Sequence, residues 1–500
     1  MTMKQAYNPY LPLTEFVPDG EPHNFNGRVY IYGSHDVPGG VKYCEGDYVT
    51  YSAPENDLTD WRYEGVIYHR TDDPSNAKDQ MQLWAPDVTC GPDGRYYLYY
   101  CYSFYPEIGV AVSDSPAGPF KFYGHVHYPE SINGGATLRE FMPFDPAVLT
   151  DDDGRVYLYY GFAPAAEKEM KMPKLSQEEI DKLPETSKER VAMFSKIEFG
   201  ENGMVAELEP DMLTLKEVPH VSIPGGHHTA GTGFEGHGFF EASSIRKVGS
   251  KYYFVYSSHK SHELCYAVSD KPDRDFVYGG TIVSNGDVGL NGRTEPLNTL
   301  GNNHGGMVKA NGEWYIFYHR QTNGTEFSRQ GCAEKIKILP DGKIKQVEIT
   351  SCGLNGGPLK GEGAYPAVIA CNIVSPTNPS VINYQNPVMK TQTRITEDVE
   401  DGVHTPFITD IAEGTKLGYK YFDFEGLSKV TLTVRGKFHG TVTLSSELDN
   451  SDGVSETAFS IDNAQWTEIS LDSTIRDGVR ALYLTFKGEG KLDLETVTLG

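Results

Sequence analysis

The sequence predicts an all-β protein, a five-bladed β-propeller followed by a β-sandwich domain. Three observations predict it. The chain has 53 Gly, 30 Pro and 32 Tyr in 500 residues, a balance that favours short strands and turns over long helices. One strand motif recurs five times in the first 320 residues, and further β-like runs follow a stretch rich in Gly and Pro.

The recurring motif is a turn, a charged residue and aromatic-rich alternation. It reads Gly27-Arg-Val-Tyr-Ile-Tyr32, Gly94-Arg-Tyr-Tyr-Leu-Tyr-Tyr100, Gly154-Arg-Val-Tyr-Leu-Tyr-Tyr160, Ser250-Lys-Tyr-Tyr-Phe-Val-Tyr256 and Gly312-Glu-Trp-Tyr-Ile-Phe-Tyr318. Each copy is a strand entered through a turn. The spacings are 67, 60, 96 and 62 residues, and the long one contains an insertion after Pro164. Within it, Ser176-Gln-Glu-Glu179 forms a capping box for a short helix that Pro184 ends. Units of roughly 60 residues hold about four strands each, and radial blades of that size leave only short sheet edges. Residues 1–360 are therefore expected to form the propeller.

Composition excludes several classes of function. With 44 basic and 69 acidic residues the net charge is −25, which repels phosphate backbones and anionic lipid, so neither nucleic acid nor a membrane is an expected partner. The first ten residues lack an apolar core and no long apolar run occurs, so a cytoplasmic location is expected. Seven scattered cysteines without a C-x-x-C pair read as buried free thiols.

Chemistry enters through a shared offset. Asp19, Asp87, Asp145, Glu241 and His304 each stand seven to nine residues before a motif. In a propeller the strand preceding each hairpin is the innermost, so these side chains converge on the central axis. Some of them could instead pin strand ends together. Carboxylates facing one another across a polar funnel suit glycosidic-bond hydrolysis, which needs one protonated acid and one ionised carboxylate. A third carboxylate raises the pKa of the acid by like-charge repulsion. Trp84, three residues before Asp87, offers an apolar platform to a sugar face or is a core tryptophan.

These residues, in this order, resemble glycoside hydrolase family 43. The resemblance rests on Val17-Pro-Asp-Gly-Glu-Pro22 ahead of the first hairpin, Trp84-Ala-Pro-Asp87, Phe144-Asp-Pro146 with Asp151-Asp-Asp-Gly154, and Phe240-Glu-Ala-Ser243 where the family usually reads Glu-Gly-Pro. It implies Asp19 as general base, Asp145 as the residue that tunes and orients the acid, and Glu241 as general acid. It implies Trp84, Asp87 and Arg329 (in Ser328-Arg-Gln330) as substrate contacts. His304, in Asn303-His-Gly-Gly306, matches a histidine that in many relatives faces a central cation or water. A calcium ion at His304 is therefore the one metal expected, and the chemistry itself requires no cofactor.

The repeats stop near residue 345, and residues 353–380 read as a Gly-, Pro-, Asn- and Ser-rich linker. Beyond it, Gly418–Phe424, Lys429–Val434, Gly440–Leu444 and Ala481–Phe486 read as strands of a β-sandwich over 381–500. This part resembles a family 6 carbohydrate-binding module, a jelly roll. Tyr419 and Trp466 are its sugar-stacking or core aromatics, and the domain is expected to pack on the propeller.

The expected function is inverting, exo-acting hydrolysis that releases xylose or arabinose from plant-wall oligosaccharides, by a β-D-xylosidase and/or α-L-arabinofuranosidase. The alternatives are a galactan-acting glycosidase of the same family and a sugar-binding propeller without turnover. A retaining fructosidase would need an Asn-Asp-Pro-Asn-Gly type segment near the start, and none is present. The oligosaccharide substrate is the partner expected; the oligomeric state is left open.

Overall fold

The computed structural model describes residues 5–103, 105–163, 200–376, 381–382 and 391–500. The insertion after Pro164, with the helix expected from Ser176, lies outside the described residues.

Each recurring motif is the second strand of a sheet, and each sheet is a blade. The first blade is β1 (Glu21–Phe25), β2 (Arg28–Tyr32), β3 (Tyr48–Pro54) and β4 (Arg62–Tyr68). The second is β5 (Leu83–Cys90), β6 (Tyr96–Tyr102), β7 (Tyr105–Ser113) and β8 (Lys121–His125). The third is β9 (Ala147–Thr150), β10 (Val156–Tyr160), β11 (Asn202–Leu208) and β12 (His220–Pro224). The fourth is β13 (Phe239–Val248), β14 (Lys251–Ser258), β15 (Glu263–Ser269) and β16 (Val277–Ser284). The fifth, with three strands among the described residues, is β17 (Met307–Ala310), β18 (Glu313–Thr322) and β19 (Thr325–Ile336). The turn glycines Gly27, Gly94, Gly154 and Gly312 all have φ between 78° and 82°, the left-handed region that glycine enters without steric cost. That requirement is why the motif opens on Gly.

The innermost strands touch in the order β1, β5, β9, β13, β17 and back to β1, so the ring closes. Closure is sealed by a parallel bridge between Gly20 and Gly305. The apolar core is divided accordingly into five inter-blade clusters. Tyr48 and Leu98 mark the first, between blades one and two; Tyr99 and Leu158 mark the next. Tyr157 and Phe254, then Val255 and Ile316, then Phe317 and Val29, mark the remaining three. Tyrosines dominate because a blade needs a wide ring for its neighbour and a hydroxyl that reaches a polar partner at the edge, as Tyr99 does to the Met212 carbonyl at 2.6 Å. The axis, lacking an apolar core, is free to hold charge.

The stretch expected as a linker instead carries three strands of the C-terminal sheet: β20 (Leu359–Lys360), β21 (Gly363–Pro366) and β22 (Asn372–Val374). They pair with β25 (Lys416–Phe424) and β28 (Gly478–Leu499), in a sheet that also contains β23 (Arg394–Glu400), β24 (Val403–Ile411), β26 (Lys429–Ser445) and β27 (Ser455–Asp472). The two runs at 429–434 and 440–444, read as separate strands, are one 17-residue strand. It continues through Gly436, whose φ of 126° and shifted register against β27 let it bend. Leu432, Val434, Phe438 and Val442 project from it into one apolar core with Leu482, Leu484 and Phe486 of β28. Tyr419 lies in that core, 1% exposed, its hydroxyl on the Ala367 carbonyl, and so presents no face to a sugar. The Trp466 ring is covered by the Arg435 guanidinium at 4.3 Å.

The C-terminal domain is seated firmly on the propeller. Lys420, 1% exposed, pairs with Asp287 at 3.3 Å and Glu348 at 2.8 Å. Arg320 of β18 donates to the carbonyls of Ala370 (3.2 Å) and Val368 (2.8 Å), and Asn298 to that of Cys371 (2.7 Å).

Candidate active site

The structure gathers Asp19, Asp145, Glu241 and His304 at the axis. Asp19 and Asp145 each stand two residues before an innermost strand, β1 and β9, at φ 56° and 44°. Glu241 lies within β13, at a bulge where the pairing register with β14 shifts on both sides of it. The next residue, Ala242, has φ 67° and donates its backbone N–H to Asp145 Oδ2 at 3.0 Å. This is the position at which the family usually has Gly, and here Ala occupies the left-handed backbone that Gly enters without cost.

Arg329 decides the charge of Asp19. Its Nη1 donates to Asp19 Oδ1 at 2.9 Å, while Nε and Nη2 form a fork on Asp36 at 2.8 and 3.0 Å. His319 Nδ1 lies 3.3 Å from Asp19 Oδ1. Burial alone would push the Asp19 pKa up; Arg329, His319 and His304 together outweigh it and hold the carboxyl well below the usual range. Asp19 is ionised at neutral pH.

The opposite holds for its neighbours. Burial, the Asp19 charge and Glu326 push Glu241 up to about 8 against the opposing pull of Arg329. Burial, Glu241 and Asp19 raise Asp145 well above the carboxylate range. His304 Nδ1 lies 3.5 Å from Asp145 Oδ2, and burial lowers this imidazole to about 4, so it is neutral.

Two residues expected to touch substrate are buried among protein partners. Arg329 is 2% exposed and spends its fork on Asp19 and Asp36, so it sets the charge of Asp19. Asp87 is 0% exposed; its oxygens accept from Val88 N–H and Val148 N–H, both at 2.8 Å, and lie 2.6 Å from His23 Nε2. It stands two residues further into its strand than Asp145 or Glu241, relative to the turn. That shift puts it below them, where it pins β5 to β9.

The walls are aromatic. Tyr43 meets Phe327 at 4.9 Å and Trp84 at 6.2 Å between ring centroids, and Trp84 meets Phe144 at 5.3 Å. Phe144, Phe162 and Phe240 continue at 5.0 and 5.1 Å. The arc thus draws on all five blades. Trp84, partly exposed, belongs to the wall; its backbone carbonyl accepts from the Tyr48 hydroxyl. Asp36, Tyr43, His319 and Glu326 escaped the sequence reading because none stands at the shared offset. The Tyr43 hydroxyl donates to Glu326 Oε2 at 2.7 Å, a pairing across 283 residues that no local pattern reveals.

Beneath the carboxyls the floor is closed by Glu21, His23, Asp87 and Arg246. Among the described residues, two groups of three could share a metal ion, Glu21–His23–Asp87 and His237–Glu263–Cys265; His304 belongs to neither. In the first group a positive charge is already supplied. Arg246 Nη2 donates to Glu21 Oε2 and the Pro22 carbonyl, both at 2.8 Å, and lies 3.3 Å from His23 Nε2. This guanidinium stands where a calcium ion would sit among Glu21, His23 and Asp87, and His304, outside that group, is neutral through burial.

Carboxyl groups held in opposite protonation states at the base of an aromatic-walled funnel are what hydrolysis of a glycosidic bond requires, and the protein is a glycoside hydrolase. Comparison supplies the family. Glycosyl hydrolases family 43 matches residues 50–201. The chain is 47% identical over 501 residues to a xylosidase/arabinosidase of Thermoclostridium stercorarium, covering 99% of each. It is 31% identical over 355 residues to one of Bacteroides ovatus, covering 68% of this chain and 97% of that one. A solved GH43_1 enzyme of Xanthomonas citri superposes with a TM-score of 0.50 at 25% identity, over 69% of this chain and 94% of that one. The chain belongs to glycoside hydrolase family 43.

Proposed function

We propose that the enzyme is an inverting, exo-acting glycosidase that releases xylose and/or arabinofuranose from the ends of short plant-wall oligosaccharides. The observation that carries it is the charge asymmetry between Asp19, ionised by Arg329, and Glu241, raised to about 8 by burial and Asp19. Asp19 takes a proton from the water that attacks the anomeric carbon. Glu241, protonated at neutral pH, delivers its proton to the departing glycosidic oxygen. Asp145, hydrogen-bonded to the Ala242 N–H, fixes the backbone beside the acid. The two relatives named xylosidase/arabinosidase support the choice of pentose. These steps need no metal; beneath them Arg246 supplies the positive charge beside Glu21 and His23.

The test is turnover of aryl β-D-xyloside and aryl α-L-arabinofuranoside, with NMR of the first anomer released. Inversion of the anomeric centre is expected, and no turnover of either would overturn the reading. Because Glu241 works protonated, activity falls as pH rises through about 8. Because Asp19 works ionised and its pKa is depressed, activity persists at acid pH below the usual carboxylate range. Glu241→Ala should lower kcat/KM on a natural disaccharide by about 10²–10⁴ and cost far less on an aryl substrate with a good leaving group, at unchanged Tm.

A further inference from the structure

The turn between β18 and β19 joins the C-terminal domain to one wall of the active site through a single side chain. Asn323 stands at its tip, buried, at φ 56°. Asn tolerates this left-handed backbone and brings two amide donors. Its backbone N–H donates to the Ile395 carbonyl of β23, in the C-terminal domain, at 2.8 Å. Its Nδ2 donates to Thr322 Oγ1 at 3.2 Å and to Ser328 Oγ at 2.9 Å. Ser328 Oγ also accepts the Gly39 N–H at 3.3 Å.

The two residues that receive this relay, Ser328 and Gly39, adjoin the catalytic wall. Ser328 precedes Arg329, which holds Asp19 and Asp36, and lies two residues beyond Glu326, which holds Tyr43. Gly39 lies in the loop that carries Tyr43 and Cys44, and Cys44 N–H donates to Asp36 Oδ1 at 3.0 Å. The loop and β19 are therefore laced together at four points, Gly39–Ser328, Tyr43–Glu326, Asp36–Arg329 and Cys44–Arg329. Asn323 is where that lacing meets the C-terminal domain. The outer side of β18 is gripped by the same domain through Arg320, which also donates to Gln330 Oε1 of β19 at 3.0 Å. Of the two aromatics expected to stack on sugar, Tyr419 is core and the partly exposed Trp466 carries the Arg435 guanidinium over its ring.

We propose that Asn323 is a positioning residue: it transmits the seat of the C-terminal domain to the wall formed by Tyr43, Phe327 and Arg329, which makes that domain part of the scaffold of the active site. Substrate would feel this as binding more than as chemistry, because Tyr43 and Phe327 wall the pocket whereas Glu241 is fixed from β13. Only the kinetic arm of the test rests on the proposed function.

The test uses the full chain. Asn323→Gly keeps the left-handed turn and the N–H to Ile395 but deletes the relay; Ser328→Ala deletes it from the other end. In both, amide exchange over residues 37–46 should quicken by about tenfold, KM should rise by about 3–10-fold and kcat should stay within about twofold. The double variant should be no worse than the worse single one, because both cut the same link. Lys420→Met, which loosens the seat without touching the hairpin, should give the same exchange signature. Unchanged exchange over 37–46 in Asn323→Gly and Ser328→Ala would overturn the proposal whether or not Lys420→Met folds, and so would a KM equal to the parent's in both. If the parent turns over no pentoside, the function reading fails, while exchange, which needs no substrate, still decides this one.

Discussion

Arg329 divides labour among carboxyl groups. One guanidinium, 2% exposed, holds both Asp19 and Asp36, and its charge separates the Asp19 pKa from those of Glu241 and Asp145. Removing it by Arg329→Met leaves two buried carboxylates unpaired, a change that typically costs about 3–5 kcal/mol. The Asp19 pKa then rises. The acid limb of the kcat/KM profile should move to higher pH, with kcat/KM down by at least about 10²-fold near pH 6. An acid limb that stays in place in the variant would mean that Arg329 does not set the state of Asp19. Asp19, Asp145 and Glu241 were legible in the sequence because each stands close to a turn whose motif repeats. The state of each was not. It is set by partners such as Arg329, 310 residues from Asp19 along the chain.

Strands and turns record local requirements, so the blades were legible from alternation and turn glycines. Register was less so. Asp87 shares the offset approximately, and two residues of difference move it from the catalytic level to a strand pin between His23 and Val148. The bulge at Glu241 shows the same sensitivity. Ala242 holds a left-handed φ of 67° that costs a non-glycine residue about 1–2 kcal/mol. Ala242→Gly removes that strain and loses part of the gain to the greater freedom of the unfolded chain, for a net stabilisation of up to about 1 kcal/mol. Urea unfolding measures it, and kcat/KM should stay within a few-fold of the parent, since the N–H that Asp145 accepts is kept. A destabilised variant would show that the Ala242 methyl packs usefully enough to outweigh the strain.

The whole molecule closes its ring with an internal cation. Arg246 extends from blade four to the Met307 carbonyl of blade five at 2.7 Å and to Glu21 and Pro22 of blade one. Chelation with EDTA should therefore leave both Tm and kcat/KM unchanged. Arg246→Met should lower Tm, because Glu21, raised to about 8 by burial, keeps Ser244 but loses its charged donor, and blades four, five and one lose their tie. A fall in Tm or kcat/KM on chelation of the parent, restored by calcium, would place the metal back on the axis. The same scale explains the missed boundary. The stretch 353–380 is rich in turn formers, yet three short strands form within it at 359–374 because β25 and β28 offer unpaired edges that they complete.

By itself the sequence determined the elements that answer to their nearest neighbours: alternating tyrosine strands, turns that need glycine, five copies of one hairpin, and carboxyl groups brought to a common axis by repetition. Tertiary structure alone decided which of those carboxyls keeps its charge, which becomes a pin, and how the C-terminal domain bears on the site. The reason is physical. Strand and turn preferences are settled within a few residues, whereas a pKa, a buried ion pair or an inter-domain hydrogen bond depends on desolvation and on partners that only the closed ring brings together.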